Sequence, residues 1–151
     1  MLNVVNLEIK HLKELVRLGI KYFDDSRFSE DLKADTDVIH ETGKSCIVAP
    51  NVMVQVLEDE DGKLHGMVQA ALVPTAWTKK LTCSINLIYI DECCKGKGHA
   101  EQFLTNVKEW AIANNCYEII TGDYAVDPKR TGRWLGKQGY EFVGNHYGIK
   151  L

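Results

Sequence analysis

The sequence is poor in the features that mark several large protein classes. No apolar stretch runs longer than the four residues Leu87 to Ile90, far short of the ~20 that cross a bilayer. The first ten residues lack a basic region followed by an apolar one, so no secretory signal is read there and no membrane partner is expected. A cytoplasmic location is the resulting expectation. The five cysteines (Cys46, Cys83, Cys93, Cys94, Cys116) contain no Cys-x-x-Cys pair. Cys93 and Cys94 are adjacent, a poor geometry for two ligands on one tetrahedral zinc, so reduced thiols and no metal centre are expected. There is no basic surplus either. Lysine and arginine total 18 against 21 acids, a net charge of −3, which argues against a phosphate-backbone binder and hence against a nucleic-acid partner. Prolines number three, and no linker, repeat or low-complexity stretch appears.

What is present is an ordinary globular composition, 45% apolar and 26% charged over 151 residues, enough for one domain with a real core spanning residues 1–151. Residues 3–9 alternate as a half-buried strand does, and from His11 the period changes to that of an amphipathic helix through Leu12, Leu15, Val16, Gly19 and Tyr22. Residues 24–44 are polar and acidic and read as a loop and a short helix. The acids Asp24, Asp25, Glu30, Asp31, Asp35, Asp37 and Glu41 crowd there, either as a solvated face or as a lip that attracts a cationic substrate. Residues 51–57 and 64–73 form a hairpin signal around Asp61-Gly62. Residues 81–90 make a long apolar strand, and a helical face follows through Phe103, Leu104, Val107 and Ala111. Residues 116–121 read as a short strand, Pro128 opens a last helix that Gly139 closes, and 141–143 and 146–151 read as two closing strands. The order is β-α-α-β-β-β-α-β-α-β-β.

Between the long strand and its helix lies Asp91-Glu92-Cys93-Cys94-Lys95-Gly96-Lys97-Gly98-His99-Ala100. A strand that runs into a glycine loop and then a helix is a device for holding phosphate. The first helical amides have no internal partner, and the helix dipole is positive at that end. Gly96 and Gly98 let the backbone curl around an anion, and Lys95 and Lys97 add charge. A dinucleotide fingerprint is rejected, because its third glycine falls at Glu101 and because several strands precede the loop. The full phosphate-loop pattern of NTPases is absent as well.

The segment Tyr89 to Ala100 resembles the acetyl-CoA loop of the GNAT acetyltransferases, whose pattern is Gln/Arg-x-x-Gly-x-Gly/Ala after the fourth strand. Gly96 and Gly98 match, Lys95 stands where a basic residue is common, and Cys93 occupies the Gln/Arg position. The stretch Trp134 to Gly144 resembles the family's fourth helix and the Gly-Phe turn that follows it. The order of elements agrees too. The resemblance implies an α/β (α+β) fold, a single mixed sheet of about seven strands with splayed central strands and flanking helices.

It further implies acetyl-CoA as co-substrate, with its pantetheine arm along Ile88, Tyr89 and Ile90 and its pyrophosphate at Lys95, Gly96, Lys97, Gly98, His99 and Ala100. The implied reaction is direct transfer of an acetyl group to a primary amine on a small molecule or protein. A homodimer is compatible with it, since dimers are common in the family. Members often protonate the departing thiolate with a tyrosine on the fourth helix, but Leu135 stands there, leaving Tyr147 and Tyr124 as substitutes. The strand face that carries a base in some relatives should present Ser84 and Asn86, which cannot ionise at neutral pH. They could hold a water that relays a proton to Asp123, or proximity alone could suffice. His99 falls within the loop and could cap the helix, while His11, His40, His65 and His146 lack ligand spacing and read as structural or solvated. A non-catalytic CoA-binding or structural protein on the same fold remains the alternative, because fold does not guarantee activity.

Overall fold

The structure, a computed structural model, describes residues 1–122, 128–144 and 147–151. Strand β1 (Asn3–Asn6) leads into helix α1 (Leu12–Asp24). Helix α2 (Thr36–Val48) follows, then strands β2 (Val52–Glu58), β3 (Leu64–Pro74) and β4 (Leu81–Ile90), helix α3 (His99–Ala113), strand β5 (Cys116–Thr121) and helix α4 (Pro128–Lys137). The five strands form one sheet in the order β1-β2-β3-β4-β5. All neighbours are antiparallel except β4 and β5, which run parallel with α3 as their crossover.

Alternation along the strands buries both sheet faces. Val56 and Met67 turn to one side, where they pack with Leu12, Leu15 and Leu18 of α1. Their chain neighbours Leu57 and Val68 turn to the other, against Phe103, Leu104 and Val107 of α3. Helix α2 seats on α1 at Gly43, where an added Cβ would lie 2.6 Å from Leu15 Cδ2 and 2.9 Å from Leu12 Cδ2.

Two features differ from the sequence expectation. The acidic stretch holds a single 3-10 turn (Arg27–Glu30) and a full 13-residue α2 rather than a loop and short helix. The N-cap explains its start: Asp35 Oδ1 accepts from the amides of Asp37 at 3.0 Å and Val38 at 3.1 Å, satisfying two donors at the helix end. Its apolar face is weak because only Gly43 is buried. At the other end of the chain, the two closing strands are not formed among the described residues. Residues 141–144 and 147–151 carry no regular structure, and Phe142, Val143, Tyr147 and Ile149 are each more than three-quarters exposed. The alternation there had no sheet neighbour to bury it, so the described sheet has five strands rather than seven. Among the described residues no helix is long and apolar enough to cross a membrane.

Candidate active site

The parallel pairing of β4 with β5 runs from Leu81–Cys116 to Ile85–Thr121 and stops. Strand β4 continues to Ile90, still paired to β3 on its other side through Leu87–Gln69, Ile88–Val68, Tyr89–Met67 and Ile90–Gly66. Among the described residues no strand therefore pairs with 86–90 on the β5 side, and that edge of β4 is open. The cause lies in the register. Gln69 pairs with Leu87 and Ala70 with Ile85, so Asn86 is an extra residue on β4. Such a bulge bends its strand and increases local twist. It also changes the parity of the faces, since Cys83 and Ile85 before it and Ile88 and Ile90 after it all pack toward α3.

Ser84 and Asn86 stand at the point where the strands part. Ser84 Oγ donates to Asn86 Oδ1 at 2.9 Å, so the structure brings these two predicted residues together. Asn86 is exposed and Ser84 half-buried. Tyr147 is elsewhere, 91% exposed in the closing segment. Asp123, Tyr124 and His146 lie outside the described residues.

Along the open edge, Ile88 is half-buried and Ile90 buried against the α3 side. Tyr89 points to the other face. Its ring meets Tyr22 edge-on, with centroids 6.0 Å apart, and its hydroxyl donates to Asp25 Oδ2 at 3.3 Å. Burial, reinforced by the Asp25 and Asp91 carboxylates, pushes the Tyr89 phenol well above its ordinary range, so it stays protonated at any working pH.

After β4, a 3-10 turn (Glu92–Cys94) leads to the glycine loop. Gly96 has φ +73° and Gly98 φ +83°, and a Cβ on either would meet no protein atom within 4 Å. Only glycine adopts that backbone without strain, and the space in front of it is open. Gly98 is also the N-cap of α3 and offers no side-chain cap. The first amides of α3, at His99, Ala100 and Glu101, are thus left for an anion. Lys95 Nζ is 2.5 Å from Glu92 Oε2, an i,i+3 pair that spends part of its charge locally and holds the Glu92 carboxyl below its usual pKa. Lys97 is exposed and makes no ion pair among the described residues. The tripeptide Gly43-Lys44-Ser45 occurs, but it lies inside α2 with Val38 where a phosphate loop has its first glycine.

Sequence reasoning missed what anchors this loop. Asp91 is buried; its amide donates to His65 O at 2.7 Å, and its Oδ1 is 2.6 Å from Lys21 Nζ on α1. These partners lie far apart in the chain, and no periodicity signals them. Burial raises the pKa of the Cys46, Cys94 and Cys116 thiols and pushes Cys83 up to about 11. None of these four is an activated nucleophile.

The model of the acetyltransferase (GNAT) family matches residues 13–140. The chain belongs to the GNAT acetyltransferase family. By sequence, no curated protein matches it significantly. Solved structures share the fold at low identity. An acetyltransferase of Trypanosoma brucei matches with TM-score 0.79 at 15% identity, covering 100% of both chains. The aminoglycoside N-acetyltransferase AAC(6')-Iy, solved in complex with CoA, matches with TM-score 0.72 at 14% identity over 100% of this chain and 93% of its own. An aminoglycoside acetyltransferase from an uncultured soil metagenomic sample, in complex with sisomicin, matches with TM-score 0.73 at 17% identity over 99% and 96%.

Proposed function

We propose that this GNAT protein moves an acetyl group from acetyl-CoA to a primary amine by direct transfer, residues 1–151 acting as one acetyltransferase domain. One observation carries most of the weight: β4 loses its β5 partner after Ile85 and then runs straight into a loop with two left-handed glycines and an uncapped helix. The main chain of Ile88, Tyr89 and Ile90 is suited to pair with the pantetheine arm. The amides at Gly96, Gly98, His99 and Ala100, with the charges of Lys95 and Lys97, are suited to the pyrophosphate. Acetyl-CoA supplies an activated acetyl group and a thiol leaving group. The protein supplies position, an amide donor on the open edge for the developing oxyanion, and a polar mouth at Ser84 and Asn86.

Ser84 and Asn86 act in this scheme by holding water that takes the proton from the amine toward Asp123, with proximity providing most of the acceleration. Tyr147, at 91% exposure, competes with bulk water as proton source for the thiolate. The elevated thiol pKa values support direct transfer over an acetyl-cysteine route. For the acceptor, Asp25 beside Tyr89, with Asp24, Glu30 and Asp31 nearby in sequence, favours a cationic amine. That chemistry agrees with the aminoglycoside neighbours. The five free thiols suit a reducing compartment, in keeping with a cytoplasmic location.

Calorimetry with acetyl-CoA, followed by thiol release across a panel of polyamines, aminoglycosides and basic peptides, tests the proposal. Binding with amine-dependent thiol release is expected. Binding without release for any amine would leave a non-catalytic CoA-binding protein instead.

A further inference from the structure

Three metal-ligating side chains that acetyl transfer does not use converge at the end of β4. A ring nitrogen of His65 and the sulfurs of Cys93 and Cys94 lie within 4.8 Å of one another, the two sulfurs 3.3 Å apart. His65 is on β3 and the cysteines are on the turn after β4. The Asp91 amide bonded to His65 O at 2.7 Å staples the two segments together. Tertiary structure, not chain spacing, builds the cluster.

The imidazole is arranged as a ligand. Its Nε2 is 2.8 Å from Asp59 Oδ2. A carboxylate only accepts, so in the neutral ring Nε2 carries the hydrogen and Nδ1 keeps its lone pair. Asp59 is itself fixed in the β2–β3 turn, where its Oδ1 accepts from the amides of Asp61 and Lys63 at 3.0 and 2.9 Å. Nδ1 is buried and makes no hydrogen bond among the described residues. Asp91 Oδ2, 3.4 Å away, pairs with it only if the ring is protonated, and the same carboxylate already faces Lys21. A buried nitrogen without a partner calls for an explanation. With Nδ1 as the ligand, the Asp59 carboxylate on Nε2 is the usual support of a metal-bound histidine.

We propose that His65, Cys93 and Cys94 form a binding site for a thiophilic divalent cation of the zinc type, with a fourth position open to solvent. With metal–sulfur bonds of about 2.3 Å, sulfurs 3.3 Å apart subtend about 90° at the ion, whereas a tetrahedral centre needs them about 3.8 Å apart. Cys93 is exposed, so turning its side chain closes that gap without moving buried structure. His65 adds the third ligand that adjacent cysteines alone do not reveal. As each metal–sulfur bond forms, the thiol proton leaves to solvent. The ion ties the root of the glycine loop to β3.

Cobalt(II) is the probe, because thiolate coordination to it gives charge-transfer absorption in the near ultraviolet. Reduced, metal-free full-length protein titrated with Co²⁺ should saturate at one equivalent, and Zn²⁺ should displace the colour. Cys93→Ser should lose about half of that absorption, one of two thiolates, and bind zinc about tenfold or more weakly. Asp59→Asn, which touches no metal, should weaken zinc binding about 10–100-fold. Thermal melts confirm that both variants fold. Absence of the thiolate bands at one equivalent overturns the site. So does full absorption or unchanged zinc affinity in folded Cys93→Ser, which would place binding at the other thiols.

Discussion

The indole N–H of Trp134 donates to Glu101 Oε1 at 3.1 Å, tying α4 to the first turn of α3. Both residues are half-buried, and Glu101 sits where a carboxylate is favoured by the helix dipole. Trp134→Phe keeps an aromatic ring and removes the donor. A hydrogen bond to a charged acceptor contributes about 1.5–3 kcal/mol, and partial exposure lowers that, so a loss of about 1–2 kcal/mol is expected. Urea melts measure it. An unchanged midpoint would mean that α4 does not contribute to the cooperative unit.

A second prediction concerns acid. Glu14 of α1 accepts from Arg17 Nη2 at 2.8 Å and from the Leu64 amide at 3.1 Å, while Arg17 Nη2 donates to Leu64 O at 2.6 Å. Together they close α1 onto the first residue of β3. The Arg17 hydrogen bond holds the Glu14 carboxyl below its ordinary 4.5, against an opposing effect of burial. A lowered folded pKa gives stability that is fully present above the unfolded value and is lost as pH falls through the folded one. Glu14→Gln cannot ionise. Wild type should therefore exceed the variant in urea midpoint at neutral pH, and the two should converge as pH falls through the lowered Glu14 pKa. A difference that persists undiminished at low pH would refute the assignment.

Much of this was legible in the sequence, for identifiable reasons. Strands β4 and β5 begin and end where the apolar stretches 81–90 and 116–121 do, because Cys83, Ile85 and Ile90 of β4 enter the core and Ile119 of β5 packs against it. The glycine loop was legible because φ values of +73° and +83° restrict the residue type. Helix α2 was under-read because it buries little besides Gly43, so its period is faint and only Asp35 marks its start. The closing strands were over-read, since alternation at Phe142 or Ile149 signals a strand only where a sheet edge receives it. The split of the sheet hangs on a one-residue bulge at Asn86, which a regular alternation conceals. The Lys21 pairing with the Asp91 carboxylate and the Asp91 amide's bond to His65 O join segments far apart in the chain and leave no local trace.

Tyr147 offers a sharp test of the proton source. Replacing it by Phe removes only the hydroxyl. The residue is 91% exposed, so solvent reaches it, and a thiol of pKa about 8.5 is already a fair leaving group. Turnover in Tyr147→Phe should stay within about twofold of wild type, with acetyl-CoA binding unchanged. A fall in kcat at constant acetyl-CoA affinity would instead identify Tyr147 as the acid, its hydroxyl acting only in the transition state.

The glycine loop allows backbone strain to be separated from ligand exclusion. Gly98 has φ +83° and Gly62, in the β2–β3 turn, φ +78°. A side chain at either position carries a similar conformational penalty, about 1–2 kcal/mol. At Gly98 an added Cβ meets no protein atom within 4 Å, so the fold has room for it. That room is the space assigned to the pyrophosphate. Gly98→Val should therefore lower stability modestly and weaken CoA binding by about tenfold or more, because the backbone can no longer approach the phosphate closely. Gly62→Ala should lower stability comparably and leave CoA affinity near wild type, since Gly62 is not part of the glycine loop and an added Cβ there meets only Glu58 Oε1, at 3.7 Å. Calorimetric titration of CoA into each folded variant reads the difference. If Gly98→Val binds CoA as wild type does, the pyrophosphate is not held at this loop. If both variants lose affinity alike, the effect at Gly98 is general strain rather than exclusion of the ligand.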